Sequence, residues 1–310
     1  MLIKRAILFA GQGAQKVGMG ADLYHRMPSI RALYEQADQI LGYSISKISF
    51  EGPEGLLTQT AHCQPALYLH GYALHSLLVQ RLPSLIITAY AGLSLGEYTA
   101  HAAAGTFSFS QGLRLVRSRA EFMQKACEAT HGGMTALIGA DEETARKIAD
   151  QAGVDVANFN APGQIVLSGE SNRMQLLPSL AQQYGIKRVI PLNVAGAYHS
   201  RLMQSAQDAL APFIDEAQIE VPRVPVWANV HAQPVNTPSE IRQTLKQQIT
   251  GSVKWEQTIR NLIQSGVQEF IELGPGGVLA GFCKRINPEV SCRSVATLEE
   301  LERLIETISQ

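Results

Sequence analysis

The sequence predicts an α/β fold, with a large parallel-sheet domain and an inserted ferredoxin-like small domain. Three observations lead there. Short apolar, β-branched runs alternate with amphipathic helical stretches, the pattern of a parallel sheet covered on both faces. Two of those runs, ILFAG and LIITAY, feed glycine-bearing turns, as strands do at the edge where ligands bind. Near HGGMTALIG the order changes to β-α-β-β-α-β, which is ferredoxin-like. The expected division is a large domain of residues 1–130 and 198–310 around a small domain of residues 131–197.

Taken in order, ILFAG (7–11) is an apolar strand that ends in the loop GQGAQKVGMG. Residues 28–41 form a helix, because Ile30, Leu33, Ala37, Ile40 and Leu41 share one stripe. A second long helix opens at Pro65, since proline is tolerated in a first turn. Residues 85–90 are a strand, followed by the turn AGLSLG and the alanine-rich helix GEYTAHAAA, which Gly105 ends. Ser110 is placed to cap a helix reaching about Ala129, with Leu113, Val116, Ala120 and Met123 apolar. The insert then reads as strand 134–138, helix 142–152, strand 154–160, strand 164–169, helix 171–184 and strand 187–194. Asn160-Ala161-Pro162-Gly163 turns the chain between its middle strands. Beyond it come helix 200–211, strand VPVWANV, helices 238–249 and 253–264, strand EFIELG, and helix 276–285 entered through Gly274-Pro275-Gly276.

Composition narrows the function. The 310 residues are 45% hydrophobic, enough for a substantial core, and the formal net charge of -1 gives no basic surplus to draw nucleic acid or an acidic membrane. Four scattered cysteines form no metal-like spacing and suit a reducing compartment. The apolar start MLIKRAILFA is too short for a signal peptide core and runs into glycines, so it is expected to be a buried strand. No apolar run approaches membrane-spanning length.

The run Gly92-Leu93-Ser94-Leu95-Gly96 is a G-x-S-x-G pattern set between strand and helix, the setting in which a serine hydroxyl projects from a sharp turn as a nucleophile. A plain Gly-Ser turn is the alternative. Gly11-Gln12-Gly13 is not a dinucleotide fingerprint, because Lys16 stands where the third glycine belongs, and no Walker ending follows. Its backbone N–H groups suit an oxyanion hole better, with glycine turns needed for close packing alone as the alternative. A serine needs a base. Of the eight histidines, His25, His62, His131 and His231 lie in polar surroundings, His70 and His75 in the long helix, and His101 in the helix after Ser94. His199, in NVAGAYHSRLM, follows a strand and is the candidate base. A helix-end hydrogen-bonding role is its alternative. Arg119 borders an apolar stripe between Leu115 and Met123 and calls for a carboxylate, either a protein Asp or Glu, favoured from sequence, or the free acid of a substrate.

FAGQGAQKVGMG, GLSLGEY, RLVRSRAEFMQ, NFNAPGQIVLSG, GAYHSRLM, QITGSVKW and ELGPGGVLAG together resemble, over nearly the whole chain, the malonyl-CoA:acyl carrier protein transacylases of fatty acid synthesis and the acyltransferases of polyketide synthases. The resemblance implies a hydrolase-like fold for the large domain, and a malonyl-Ser94 intermediate with His199 as base and later acid. It implies Arg119 as clamp for the substrate carboxylate, and Gln12 and Leu95 amides as oxyanion hole. Gln248 would orient the histidine by its backbone carbonyl, and Asn160 would line the cleft. Leu93 stands where many members have histidine, Tyr198 where phenylalanine is frequent, and Ser252 where proline is frequent. Implied too are malonyl-CoA as substrate with no bound cofactor or metal, acyl carrier protein with its phosphopantetheine arm as partner, a cytoplasmic setting and a monomer. An acyl-thioester hydrolase and a trans-acting polyketide-pathway acyltransferase share the same serine and histidine, whereas a noncatalytic carrier-binding module would lack them. Lys187, Arg188 and Arg201 are expected to offer a basic dock for an acidic carrier protein.

Overall fold

The computed structural model describes residues 3–309. Ten strands form two sheets: β1 (Arg5–Phe9), β2 (Ile87–Gly92), β3 (Gly132–Ile138), β4 (Asp155–Ala161), β5 (Gln164–Glu170), β6 (Arg188–Pro191), β7 (Val226–Ala228), β8 (Gln233–Val235), β9 (Glu269–Leu273) and β10 (Ser291–Val295). The large sheet runs β10-β9-β1-β2-β7-β8, parallel throughout except for β8 at one edge. The small sheet runs β4-β5-β3-β6, all antiparallel, which is the ferredoxin-like order.

Both faces of the large sheet are buried, and β1 shows how. Ile7 and Phe9 pack into one core with Leu74, Leu113 and Val116 from long helices, while Ala6 and Leu8 pack into another with Trp255, Ile259 and Leu279. Alternate residues of a strand point to opposite faces, so an apolar run without alternation is what a doubly covered strand requires. The small sheet has a third core, built from Leu137, Ile148, Phe159 and Leu167.

Several expectations are corrected. The long helix spans Thr60–Arg81, so Pro65 lies inside it rather than opening it. Proline leaves the carbonyl four residues back without its helical donor. That carbonyl belongs to Ala61, and the Tyr43 hydroxyl donates to it at 3.3 Å. Ser108, not Ser110, caps the helix Phe109–Ala129, accepting from the Gln111 amide. The helix expected over 171–184 is two short ones, Ser171–Met174 and Leu177–Gln183, because Pro178 fits only a first turn. The first strand is Arg5–Phe9, two residues ahead of expectation, and a 3-10 turn Arg201–Met203 precedes the helix Gln204–Glu216. The strands β8 and β10 and the final helix Leu298–Ser309 were not anticipated; β10 (SCRSV) is an edge strand whose exposure leaves it little apolar signal.

The segment after Gln248 sutures the two sheets. The Val253 amide donates to the Ala157 carbonyl at 2.8 Å, and the Phe159 amide donates to the Val253 carbonyl at 2.9 Å. The Ser252 hydroxyl donates to the Val156 carbonyl at 2.5 Å, a bond that proline at this position could not make. This holds β4 of the small sheet beside the segment that leads from Gln248. Among the described residues, no helix is long and apolar enough to cross a membrane.

Candidate active site

Ser94 sits at the junction of β2 and the helix Leu95–Ala103 with φ +52° and ψ −104°, a region that L residues rarely occupy. The flanking glycines are required by contact. A Cβ on Gly92 would lie 2.0 Å from the Gly96 backbone, and a Cβ on Gly96 would lie 2.2 Å from the Phe9 carbonyl oxygen. The elbow is further clamped by Asn229, at the end of β7. Its Oδ1 accepts from the Ser94 amide at 2.6 Å, and its Nδ2 donates to the Gly92 carbonyl at 2.8 Å.

His199 lies 2.8 Å from the Ser94 Oγ through Nε2, and its Nδ1 lies 2.8 Å from the Gln248 carbonyl oxygen. A carbonyl only accepts, so Nδ1 carries the proton and Nε2 is left free to receive one from the serine. Both residues are buried, and His199 also has positive φ, +54°. Burial, and then the Arg119 charge, lower its imidazole from 6.5 to about 4, so the neutral form prevails at physiological pH.

Arg119 is fully buried. Its Nη1 donates to Gln64 Oε1 at 2.6 Å, and its Nη2 donates to Ser94 Oγ at 2.9 Å and to Gln248 Oε1 at 3.0 Å. The guanidinium carbon stands 5.4 Å from the centre of the Tyr98 ring, a cation–π contact. Among the described residues no carboxylate comes within salt-bridge distance of it, which corrects the expectation of a protein Asp or Glu partner. Neutral amides occupy the fork, and Nε has no partner among the described residues.

Ser94, His199, Gln12, Leu93, Tyr198 and Asn160 line one cleft of about 860 Å³. Asn160 Oδ1 is buried without a partner among the described residues. The amides of Gln12 and Leu95 have no protein acceptor among the described residues, as the first residue of a helix would leave its N–H. Leu93 is half-buried beside Gly11 and presents apolar surface next to the serine. The Tyr198 hydroxyl has a use that aromatic bulk alone does not explain: it lies 2.5 Å from Thr60 Oγ1 and accepts from Gln12 Nε2 at 3.3 Å. Lys187 and Arg188 are exposed, but Arg201 is paired with Asp155 at 2.6 Å, so its charge in the expected basic dock is largely balanced.

Gln64, Thr60, Asn229 and Glu97 were not singled out from the sequence. Glu97 directly follows the motif, and a carboxylate on an otherwise apolar helix was the available signal. It is fully buried, its Oε2 accepts from the Asn229 amide at 3.0 Å and from Gln248 Nε2 at 2.6 Å, and burial lifts its carboxyl to about 7.

A serine on a strand-to-helix elbow, bonded to a carbonyl-oriented histidine beneath a cleft, defines a class of acyl-transferring α/β proteins, and the family described as acyl transferase domain matches residues 7–299. Within that class the chain is 39% identical to the malonyl CoA-acyl carrier protein transacylase of Bacillus subtilis, across 99% of this chain and 98% of that one. It is 42% identical to the polyketide biosynthesis malonyl CoA-acyl carrier protein transacylase of the same organism, across 91% and 96%. The fold superposes with TM-score 0.94 on the acyl-carrier-protein-S-malonyltransferase of Bartonella henselae, at 38% identity over 99% of this chain and 100% of that one. It superposes equally, at 33% identity over 98% and 99%, on a malonyl-transacylase in complex with its type II polyketide acyl-carrier protein. The chain belongs to the malonyl-CoA:acyl carrier protein transacylase family.

Proposed function

We propose that this protein moves the malonyl group of malonyl-CoA onto the phosphopantetheine thiol of acyl carrier protein, through a malonyl ester on Ser94. The observation that carries the reading is a buried cation with no carboxylate in direct contact among the described residues, Arg119, bonded at 2.9 Å to the hydroxyl that the histidine activates. A diacid thioester satisfies both groups at once.

The Ser94 hydroxyl attacks the thioester carbonyl as His199 Nε2 takes its proton. The amides of Gln12 and Leu95 receive the oxyanion. The imidazolium returns its proton to the departing coenzyme A thiol, leaving malonyl on Ser94 with its carboxylate on Arg119. The carrier thiol then gives its proton to His199, attacks the ester and leaves as malonyl thioester, and Ser94 is reprotonated. Gln248 holds the imidazole upright throughout, Asn160 and Tyr198 shape the cleft, and the apolar Leu93 keeps the neighbourhood of the ester dry. Arg119 selects and holds, exchanging no proton.

Every group in this scheme comes from one chain, which supports a monomer as the working unit. Residues 131–197 serve as the small domain, a division supported by the closure of the small sheet within Gly132–Pro191. Unbridged cysteines suit a cytoplasmic setting.

The test is malonyl-CoA labelled in its acyl group, first without acceptor and then with holo acyl carrier protein. Peptide mapping should find one malonyl group on Ser94, and the second stage should move it to the carrier with little free malonate. Stable label on another residue sinks the assignment. Free malonate as the main product would make the protein a hydrolase.

A further inference from the structure

We propose that Glu97 is a positioning residue: its buried carboxylate is the counter-charge of Arg119, relayed by the Gln248 amide, and sets how firmly the site holds a carboxylate-bearing acyl group. The proposal rests on the malonyl-transfer reading above and adds a residue that touches neither substrate nor proton.

Glu97 Oε2 accepts from Gln248 Nε2, and Gln248 Oε1 accepts from Arg119 Nη2, so one amide spans anion and cation. The same Gln248 donates from Nε2 to the Ser94 carbonyl at 2.9 Å and accepts from His199 through its backbone carbonyl. Glu97 also accepts from the Asn229 amide, whose side chain clamps the serine elbow. A carboxylate would not be retained in a dry interior without such bonds and an opposite charge. The mutual field is visible in both groups: Arg119 opposes the rise of the Glu97 carboxyl, and Glu97 opposes the fall of Arg119. The other titratable groups around this pair are Tyr98, on the same helix, Tyr198, which acts on Arg119, and His199, which feels Arg119; just beyond β7 the Asn229 amide makes the contact.

Two consequences separate this role from packing. A malonyl carboxylate on Arg119 must share one cation with Glu97, so Glu97 loosens the hold on the diacid. The same negative charge steadies the imidazolium that forms at His199 during each transfer. Both bonds to Glu97 end on Oε2, while Oε1 has no partner among the described residues. Glu97→Gln can therefore keep both bonds through its amide oxygen and remove the charge, while leaving an NH2 without an acceptor where Oε1 stood; acetyl-CoA controls for that second change.

The experiment compares wild type and Glu97→Gln with malonyl-CoA and acetyl-CoA at roughly pH 8, where the carboxyl is ionised. Wild-type malonylation at Ser94 is the prior control, and its failure would strike the functional reading rather than this one. We expect the variant to show a KM for malonyl-CoA about tenfold lower and a kcat about tenfold lower, with the KM for acetyl-CoA unchanged. A malonyl KM that stays put, or moves with the acetyl KM, overturns the proposal. If the variant does not fold, carbon-13 titration of glutamate carboxyls in wild type decides. Malonylation should move the midpoint of the near-neutral carboxyl upward, and no movement overturns the proposal.

Discussion

Replacing Arg119 by alanine tests the diacid reading most directly. The guanidinium is fully buried, so its loss leaves a bound carboxylate desolvated and without its counter-charge. Truncating one partner of a buried, hydrogen-bonded charge pair costs about 2–5 kcal/mol. At about 1.4 kcal/mol per decade, kcat/KM for malonyl-CoA should fall roughly 30-fold to several thousandfold. Complete burial argues for the upper part of that range. Acetyl-CoA presents no carboxylate, so its kcat/KM should change less than about tenfold, the residue of losing the bond from Nη2 to Ser94 Oγ. Arg119→Lys should recover only part of the malonyl activity, because a point charge cannot serve Gln64, Gln248 and a carboxylate together. The assay is steady-state transfer of both acyl groups to holo carrier protein, with circular dichroism melts to confirm folding. Stability is a weaker readout: Gln64 and Gln248 lose a donor, at about 1–3 kcal/mol each, while a desolvated charge is relieved. Equal losses for malonyl and acetyl would refute the reasoning and leave Arg119 a structural residue.

Other expectations follow from the same geometry. Because His199 is lowered to about 4, its neutral form survives acidification, and kcat/KM for acylation should persist at about pH 5.5, where an ordinary histidine is mostly charged; an acid limb centred near the ordinary value of 6.5 would contradict this. In linkage terms the unfolded chain takes up the His199 proton first as pH falls, so this residue's contribution to stability is full above 6.5 and lost between there and about 4. Leu93→His should raise the ratio of hydrolysis to transfer roughly threefold, since an imidazole can hold water beside the ester where leucine excludes it; product analysis of released malonate measures it, and an unchanged ratio would make Leu93 a packing residue only. Gly96→Ala sets a methyl 2.2 Å from a main-chain oxygen that cannot yield, and it should cost more than about 4 kcal/mol in urea unfolding or prevent accumulation of folded protein.

Much of the site was legible because its determinants are local. A strand, two glycines around Ser94 and a helix are adjacent in sequence, and that order marks the elbow before Phe9 and Asn229 close on it. The helices Pro28–Leu41 and Glu142–Ala152 were readable to the residue, because an apolar stripe and a terminal proline or aspartate define them without help from elsewhere. The ferredoxin-like order was readable for the same reason.

What needed the tertiary structure was every partner brought from a distance. Pro65 sits within a helix, and the carbonyl it frees is capped by Tyr43 from elsewhere in the chain. The sequence offered Arg119 a protein carboxylate, but folding supplied Gln64 and Gln248 instead, leaving a cation whose fork holds neutral amides. Likewise, no spacing rule ties Glu97 to Asn229 and Gln248, which arrive from 132 and 151 residues away. Local sequence determines where the chain may turn and which face is apolar. Which polar groups meet in a dry interior depends on how the helices and the two sheets close over one another, since a buried hydrogen bond forms only between groups that packing has already brought within reach.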